Sequence, residues 1–120
     1  MARTLIPINT IVRAGIQPAL TAGDDANEMY FVNDGRTFIY VLNTGGASNL
    51  TFVTPGTVDT HAIANRTVAV AVHATEGMFI GPFPPSTWNN AGAAAEDNGT
   101  VHIDIDDDTT LTLEAFRLPA

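Results

Sequence analysis

Short runs of apolar and β-branched residues, separated by turn signals, dominate the pattern along this chain. Period-two alternation is clearest in residues 67–72 and 101–105, where valine or isoleucine occupies every second position. Such runs are typical of β-strands with one buried face. Seven prolines and ten glycines interrupt the runs, and no long segment shows a helical period. The predicted strands lie at residues 10–16, 29–32, 37–43, 49–54, 67–72, 78–83, 101–105 and 111–118.

These runs predict an all-β fold. We expect a single-domain antiparallel β-sandwich or jelly-roll-like barrel of about eight strands with an extended N-terminal arm. Residues 1–120 form one domain, since the length suits a single core and no repeat or linker composition divides the chain. Residues 1–20 supply the arm and the first strand.

The predicted strand at residues 37–43 carries apolar residues on both faces. Phe38, Tyr40 and Leu42 lie on one face, and Ile39 and Val41 lie on the other. A strand of this kind is covered on both faces, by its own core or by a partner. We expect Tyr40 and its neighbours in the core and Ile39 and Val41 at a subunit contact, with a fully buried strand as the alternative.

Composition restricts the classes of partner. Five Arg and no Lys face thirteen Asp and Glu, which gives a net charge of −8. Phosphate neutralisation needs clustered basic residues, and a membrane span needs about 20 apolar residues, so we expect neither nucleic acid nor membrane as a partner. Charged residues make up only 15% of the chain. A surface left to Thr, Asn, Ala and Gly suits packing against another protein, because interface cores are depleted of charge.

Two groups of residues are candidates for chemistry. Asp104, Asp106, Asp107 and Asp108 offer oxygen ligands, but they lack the spacing of a calcium-binding loop. We predict a solvated hairpin tip there, with a Ca²⁺ site as the alternative. The histidines, His61, His73 and His102, stand singly, and the chain has no nucleophile–base or phosphate-loop motif. We therefore expect no catalytic residue, no metal site, no cofactor and no enzymatic activity.

Trp88 is the single tryptophan of the chain, and it follows the proline-rich segment at residues 82–85. A lone Trp after such a bend is typical of a packing anchor or an interface residue. The alternative is a sugar-stacking platform, as in carbohydrate-binding modules.

Four segments together carry a family resemblance: PINTIVRAGI at residues 7–16, NDGRTF at 33–38, NRTVAV at 65–70 and MFIGPFPP at 78–85. With them the chain resembles, over most of its length, a group of small structural proteins of tailed bacteriophages and prophages. The resemblance implies a head decoration (cement) protein on the capsid exterior of the virion, made in the host bacterial cytoplasm. It also implies the major capsid protein as partner and self-association, as a homotrimer. The chain departs from the group at residues 91–97 and 106–108.

The expected interface has three parts: the arm, which adds a strand to a neighbour's sheet, a stiff apolar ridge around residues 81–85, and one face of the strand at 37–43. Its candidate residues are Ile6, Pro7, Ile8, Ile11, Arg13, Ile39, Val41, Phe83, Pro84, Pro85 and Trp88. Two other functions remain open: a carbohydrate- or receptor-binding β-module of a phage fibre, and a head–tail connector or tail component.

Overall fold

Strands account for nearly all regular structure in the computed structural model, which describes residues 2–119. Within these residues the strands are β1 (Thr4–Leu5), β2 (Ile8–Thr10), β3 (Thr21–Ala22), β4 (Met29–Val32), β5 (Thr37–Asn43), β6 (Ser48–Phe52), β7 (Thr57–Val58), β8 (His61–Ala62), β9 (Arg66–Val70), β10 (Met78–Ile80), β11 (Asn90–Ala91), β12 (Asn98–Ile105) and β13 (Leu111–Arg117). A one-turn helix, α1 (Pro85–Trp88), and a 3₁₀ turn at Ala95–Asp97 complete the list. The all-β, single-domain prediction is confirmed.

The strands form two main sheets. The first has the order β1-β4-β12-β6-β9, with β11 also paired to β12, and the second has the order β10-β5-β13-β2, with β3 also paired to β13. Strands β7 and β8 form a separate hairpin. Most pairs are antiparallel, but β1 runs parallel to β4 and β2 runs parallel to β13. The wholly antiparallel prediction is wrong at these two pairs, because long connections rather than hairpins separate their strands and no tight turn dictates their direction.

The core lies between the two sheets and contains residues from the inner faces of both. As predicted, β12 contributes Val101, Ile103 and Ile105 to it. In β5 the prediction had the two faces reversed. Ile39 and Val41 have no exposed surface, whereas Phe38, Tyr40 and Leu42 lie on the outer face and are partly covered. Ile39 and Val41 are therefore not available for the subunit contact that we expected of them.

The N-terminal segment completes the protein's own sheets. Thr4 stands beside Met29 in the first sheet, and Ile8 stands beside Ala115 in the second. Between them Ile6 passes from sheet to sheet with 0% of its surface exposed. The N-terminal segment is thus not a free arm, since both of its strands pair within the chain, and its addition to a neighbour's sheet stays a prediction.

Residues 11–20 form a coil across the outer face of the second sheet, where we had predicted a strand at 10–16. The ladder ends at Thr10, and Gly15 adopts a φ of 93°, a left-handed conformation that interrupts a strand. Ala19 N donates a hydrogen bond of 2.8 Å to the buried Glu114 Oε1, which ties the coil to β13. The coil therefore forms a wall over part of the outer face.

Candidate binding surfaces

The predicted interface residues do not form one patch. Four of them are buried (Ile6, Ile39, Val41 and Phe83), three are partly buried (Ile8, Ile11 and Trp88), and four are exposed (Pro7, Arg13, Pro84 and Pro85). Phe83 packs its ring 4.9 Å from that of Phe52 and 5.5 Å from that of Phe31, measured between centroids. The four buried residues thus hold the core together, and the surfaces available for binding lie elsewhere.

An apolar groove of about 600 Å³ lies on the outer face of the second sheet. We call it the aromatic groove. Strands β5, β10 and β13 form its floor, and the coil of residues 11–20 forms one wall. Its lining residues are Ile11, Ile16, Pro18, Leu20, Phe38, Tyr40, Leu42, Thr75, Phe79 and Phe116. Of the predicted interface residues, it includes Ile11.

Four aromatic rings pack together in this groove. The Tyr40 and Phe79 centroids are 4.9 Å apart, Phe38 and Phe79 are 5.7 Å apart, and Phe38 stacks on Phe116 at 5.9 Å. The Tyr40 hydroxyl accepts a hydrogen bond of 3.0 Å from Gly77 N, which fixes the ring. Phe79 remains 68% exposed. The groove therefore presents a large aromatic surface held in place by neighbouring rings.

No charged side chain is among the described residues that line the aromatic groove. The nearby carboxylate of Glu114 is buried and accepts the hydrogen bond from Ala19. Sequence reasoning missed this groove because it assigned Phe38, Tyr40 and Leu42 to the core. The signal was present in the apolar outer positions of residues 37–43, but the pattern does not say which face is covered.

A second concave surface, the edge cleft, lies between strands β9 and β10 and has a volume of about 480 Å³. These strands are the last members of the two sheets at the same side of the sandwich. The cleft brings Phe83 and Trp88, both predicted interface residues, together with an arginine. Its lining residues are Arg66, Val68, Met78, Phe79, Ile80, Gly81, Pro82, Phe83 and Trp88.

Trp88 anchors the base of the edge cleft. Its ring meets Phe83 edge-to-face, with centroids 5.5 Å apart and an interplanar angle of 80°. It packs against the core from a partly buried position. This agrees with the packing-anchor interpretation of Trp88, and the same ring also faces the cleft.

The aspartates of the predicted hairpin tip, for which a Ca²⁺ site was the alternative, do not form one cluster. Asp104 forms an ion pair with Arg3 at 2.8 Å. Asp107 and Asp108 instead lie near Asp25, with carboxylate oxygens of the three within 4.8 Å of one another. Sequence spacing could not reveal Asp25, which comes from a distant loop. Oxygen ligands of this kind suit Ca²⁺, but Asp108 already accepts a hydrogen bond from Asp25 N at 3.0 Å.

Asp106 is the first residue after β12 in the same hairpin. Its carboxylate accepts hydrogen bonds from Asn49 N at 2.7 Å, Asn49 Nδ2 at 2.9 Å and Ser48 Oγ at 3.0 Å. These donors lower the pKa of Asp106, the backbone N–H of Asn49 most of all. The carboxylate thus joins the tip of the β12–β13 hairpin to β6.

The histidines make separate local contacts. His102 Nε2 lies 2.8 Å from Glu96 O and 3.1 Å from Asp97 Oδ1, so it joins the 3₁₀ turn to β12. His73 Nδ1 accepts a hydrogen bond from Glu76 N at 2.9 Å and caps an exposed turn. The rings of His73 and His102 thus both contact nearby groups of the protein itself.

Comparison with known proteins finds no family model, curated protein or solved structure that matches this chain. Among the described residues, no helix is long and apolar enough to cross a membrane. The fold and its surfaces define an all-β sandwich that carries an apolar groove on one face and a cleft along one side.

Proposed function

We propose that this protein is a structural protein of a tailed-bacteriophage virion that binds the outer surface of the capsid as a decoration protein and stabilises the shell. The observation that carries the binding role is the aromatic groove, a contiguous and uncharged apolar surface with Phe79 at its most exposed point. Apolar patches of this kind mark contact sites, and aromatic anchors supply much of the energy of protein interfaces. The phage assignment itself comes from the resemblance of the four sequence segments.

The proposed partner is the major capsid protein, and self-association as a homotrimer would place several grooves on one lattice point. A decoration protein that binds only the assembled shell stabilises that shell by mass action. The acidic side chains lie mainly in loops and hairpin tips, and the aromatic groove is free of charge in its described lining. This distribution supports contact with protein through the sheet face.

Co-sedimentation with purified capsids tests this proposal. Phe79→Ser removes the most exposed ring of the groove and should weaken binding to assembled capsids by on the order of tenfold. Val58→Ser is the matched control, because Val58 is 63% exposed in the separate β7–β8 hairpin and should change nothing. A stable monomer without affinity for assembled capsids, or equal affinity for unassembled capsid subunits, would contradict the proposal.

The alternative of a carbohydrate-binding fibre module has less support from the geometry. Trp88 is partly buried, and its contact with Phe83 commits it to packing. If Trp88 were a sugar platform, Trp88→Ala would abolish glycan binding and leave the fold intact. A connector or tail role uses the same apolar groove, and electron microscopy of particles separates it from decoration, since rings at one vertex differ from copies over the whole shell.

A further inference from the structure

The side of the sandwich between β9 and β10 is open. On the opposite side Ile6 crosses between the sheets and fills the gap. The connection at residues 71–77 also crosses between the sheets on this side, where Val72 forms a bridge with Asn43 of β5. Beyond that crossing, β9 and β10 each pair with another strand on only one of their sides and leave a gap between them. The edge cleft is the resulting gap, and its volume of about 480 Å³ lies in the range of roughly 300–1,000 Å³ typical of binding pockets.

The backbone groups that β9 leaves unpaired can be identified from the ladder. Asn49 N donates to Asp106 Oδ1, and Asn49 O accepts a hydrogen bond from Asp106 N, so both Asn49 groups point away from β9. Ala69 stands opposite Asn49. In an antiparallel ladder such a pair exchanges no hydrogen bonds, so the N–H and C=O of Ala69 point to the free edge. Those of Thr67, two residues earlier, do the same.

The inner side of this free edge is apolar. Val68, Met78 and Trp88 are only partly buried, and they pack against the core with their remaining surface open to the cleft. Ile80 and Phe83 lie behind them and are buried. An apolar side chain that entered the cleft would therefore cover surface that the protein's own strands leave exposed.

Arg66 supplies the charge of the cleft. Three other arginines, Arg3, Arg36 and Arg117, form ion pairs with aspartates. Arg66 forms neither an ion pair nor a side-chain hydrogen bond with any residue in the described part of the chain. No acidic residue lines the cleft among the described residues. A carboxylate is the complementary group for this position.

We propose that the β9 edge is a strand-addition site for an extended peptide segment of another protein. The peptide pairs with the free groups of Thr67 and Ala69, as in recognition by β-augmentation. Successive side chains of a strand point to opposite faces, so the peptide residues that face the cleft beside Val68 and Arg66 are two positions apart. The residue beside Val68 is apolar, and the residue beside Arg66 is acidic. This site shares Phe79 with the aromatic groove, but its pairing groups and Arg66 lie on β9, outside the groove, and it does not depend on the proposed function.

A blocked peptide, acetyl-Thr-Glu-Thr-Phe-Thr-Val-amide, is the probe for this site. Trp88 is the only tryptophan, so its fluorescence reports occupancy of the cleft directly. We expect saturable binding that Arg66→Gln weakens about three- to fivefold, as for the loss of one cross-strand ion pair. The same loss should follow when Gln replaces Glu in the peptide. Arg13→Gln, a change at an exposed arginine outside the cleft, should leave binding unchanged.

Backbone pairing is tested by a second variant. Ala69→Pro removes an N–H that the β6–β9 ladder does not use, and proline is tolerated at such edge positions. The variant should remain folded by circular dichroism and lose peptide binding, and N-methylation of the peptide on its pairing side should have the same effect.

Three results would overturn the inference. One is peptide binding that survives both Ala69→Pro and N-methylation. Another is binding lost in Ile16→Ser, a change within the aromatic groove, but kept in Arg66→Gln. The third is concentration-dependent self-association that Ala69→Pro abolishes, observed by sedimentation without peptide, since a second copy would then occupy the edge.

Discussion

Asn33 and Asn89 hydrogen-bond to each other in both directions. Asn33 Nδ2 donates to Asn89 Oδ1 at 2.7 Å, and Asn89 Nδ2 donates to Asn33 O at 2.8 Å. The buried Asn33 side chain also donates to Phe83 O at 2.8 Å and accepts from Gly35 N at 3.0 Å. These bonds join the turn between β4 and β5 to the segment that carries Phe83 and Trp88, and so hold the base of the edge cleft in place.

Asn33→Ala should therefore lower the free energy of unfolding by about 2–3 kcal/mol, because it removes three hydrogen bonds and leaves buried partners unsatisfied. Urea denaturation measures the loss, and Trp88 fluorescence should shift as its segment loosens. Asn9→Ala is the control, since Asn9 makes a single exposed side-chain bond to Gln17 O. Equal effects of the two substitutions would show that the Asn33 network contributes little.

Ile6 is the residue on which docking of the N-terminal segment depends. Ile6→Ala should cost about 2–4 kcal/mol of stability, because it leaves a cavity between the two sheets. Its neighbour Leu5 is 46% exposed, so Leu5→Ala should stay within about 0.5 kcal/mol of the unchanged protein. Both are measured by urea denaturation. If Ile6→Ala were as mild as Leu5→Ala, the segment would not be docked in solution.

Strands with one apolar face were predictable from the sequence, and strands with two were not. In β12 and β13 polar residues separate the inward positions, and the inward residues Ile103 and Leu113 are fully buried as expected. In β5 both faces are apolar, so alternation alone cannot say which face meets the core. Val72 was predicted to point inward but is 53% exposed, because β9 ends at Val70 and the chain leaves the sheet.

The surfaces were less predictable than the strands because they join distant segments. The aromatic groove unites the coil at residues 11–20 with Phe79 and Phe116. The edge cleft unites Arg66 with Trp88. No local sequence pattern predicts these combinations, because they depend on the order of the strands within each sheet. The sequence did indicate Ile11, Phe83 and Trp88 individually, but it did not show that Ile11 lines one surface and that Phe83 and Trp88 line the other.

Glu28 should make the protein less stable as pH rises. Burial raises the pKa of Glu28 above its ordinary value of 4.5, against the opposing effect of the hydrogen bond that its side chain accepts from Ile105 N. Because the folded state favours the protonated form, this stabilisation is complete below the unfolded pKa and disappears as pH rises through the folded pKa. Glu28→Gln keeps an acceptor for Ile105 without the charge. Its stability relative to the unchanged protein should thus be greater at pH 7 than at pH values below 4.5.

Asp106 should show the opposite dependence. The hydrogen bonds from the backbone and side chain of Asn49, and then from Ser48, lower the pKa of Asp106 below 3.8. Its stabilising contribution is present above the unfolded pKa and is lost as pH falls through the folded pKa. Asp106→Asn should therefore be less stable than the unchanged protein at neutral pH, and the difference should shrink in acid. Urea denaturation across a pH series measures both carboxylates. A constant difference for Asp106→Asn at every pH would mean that ionisation of this carboxylate is not linked to folding, and that the substitution disturbs only the hydrogen-bond geometry.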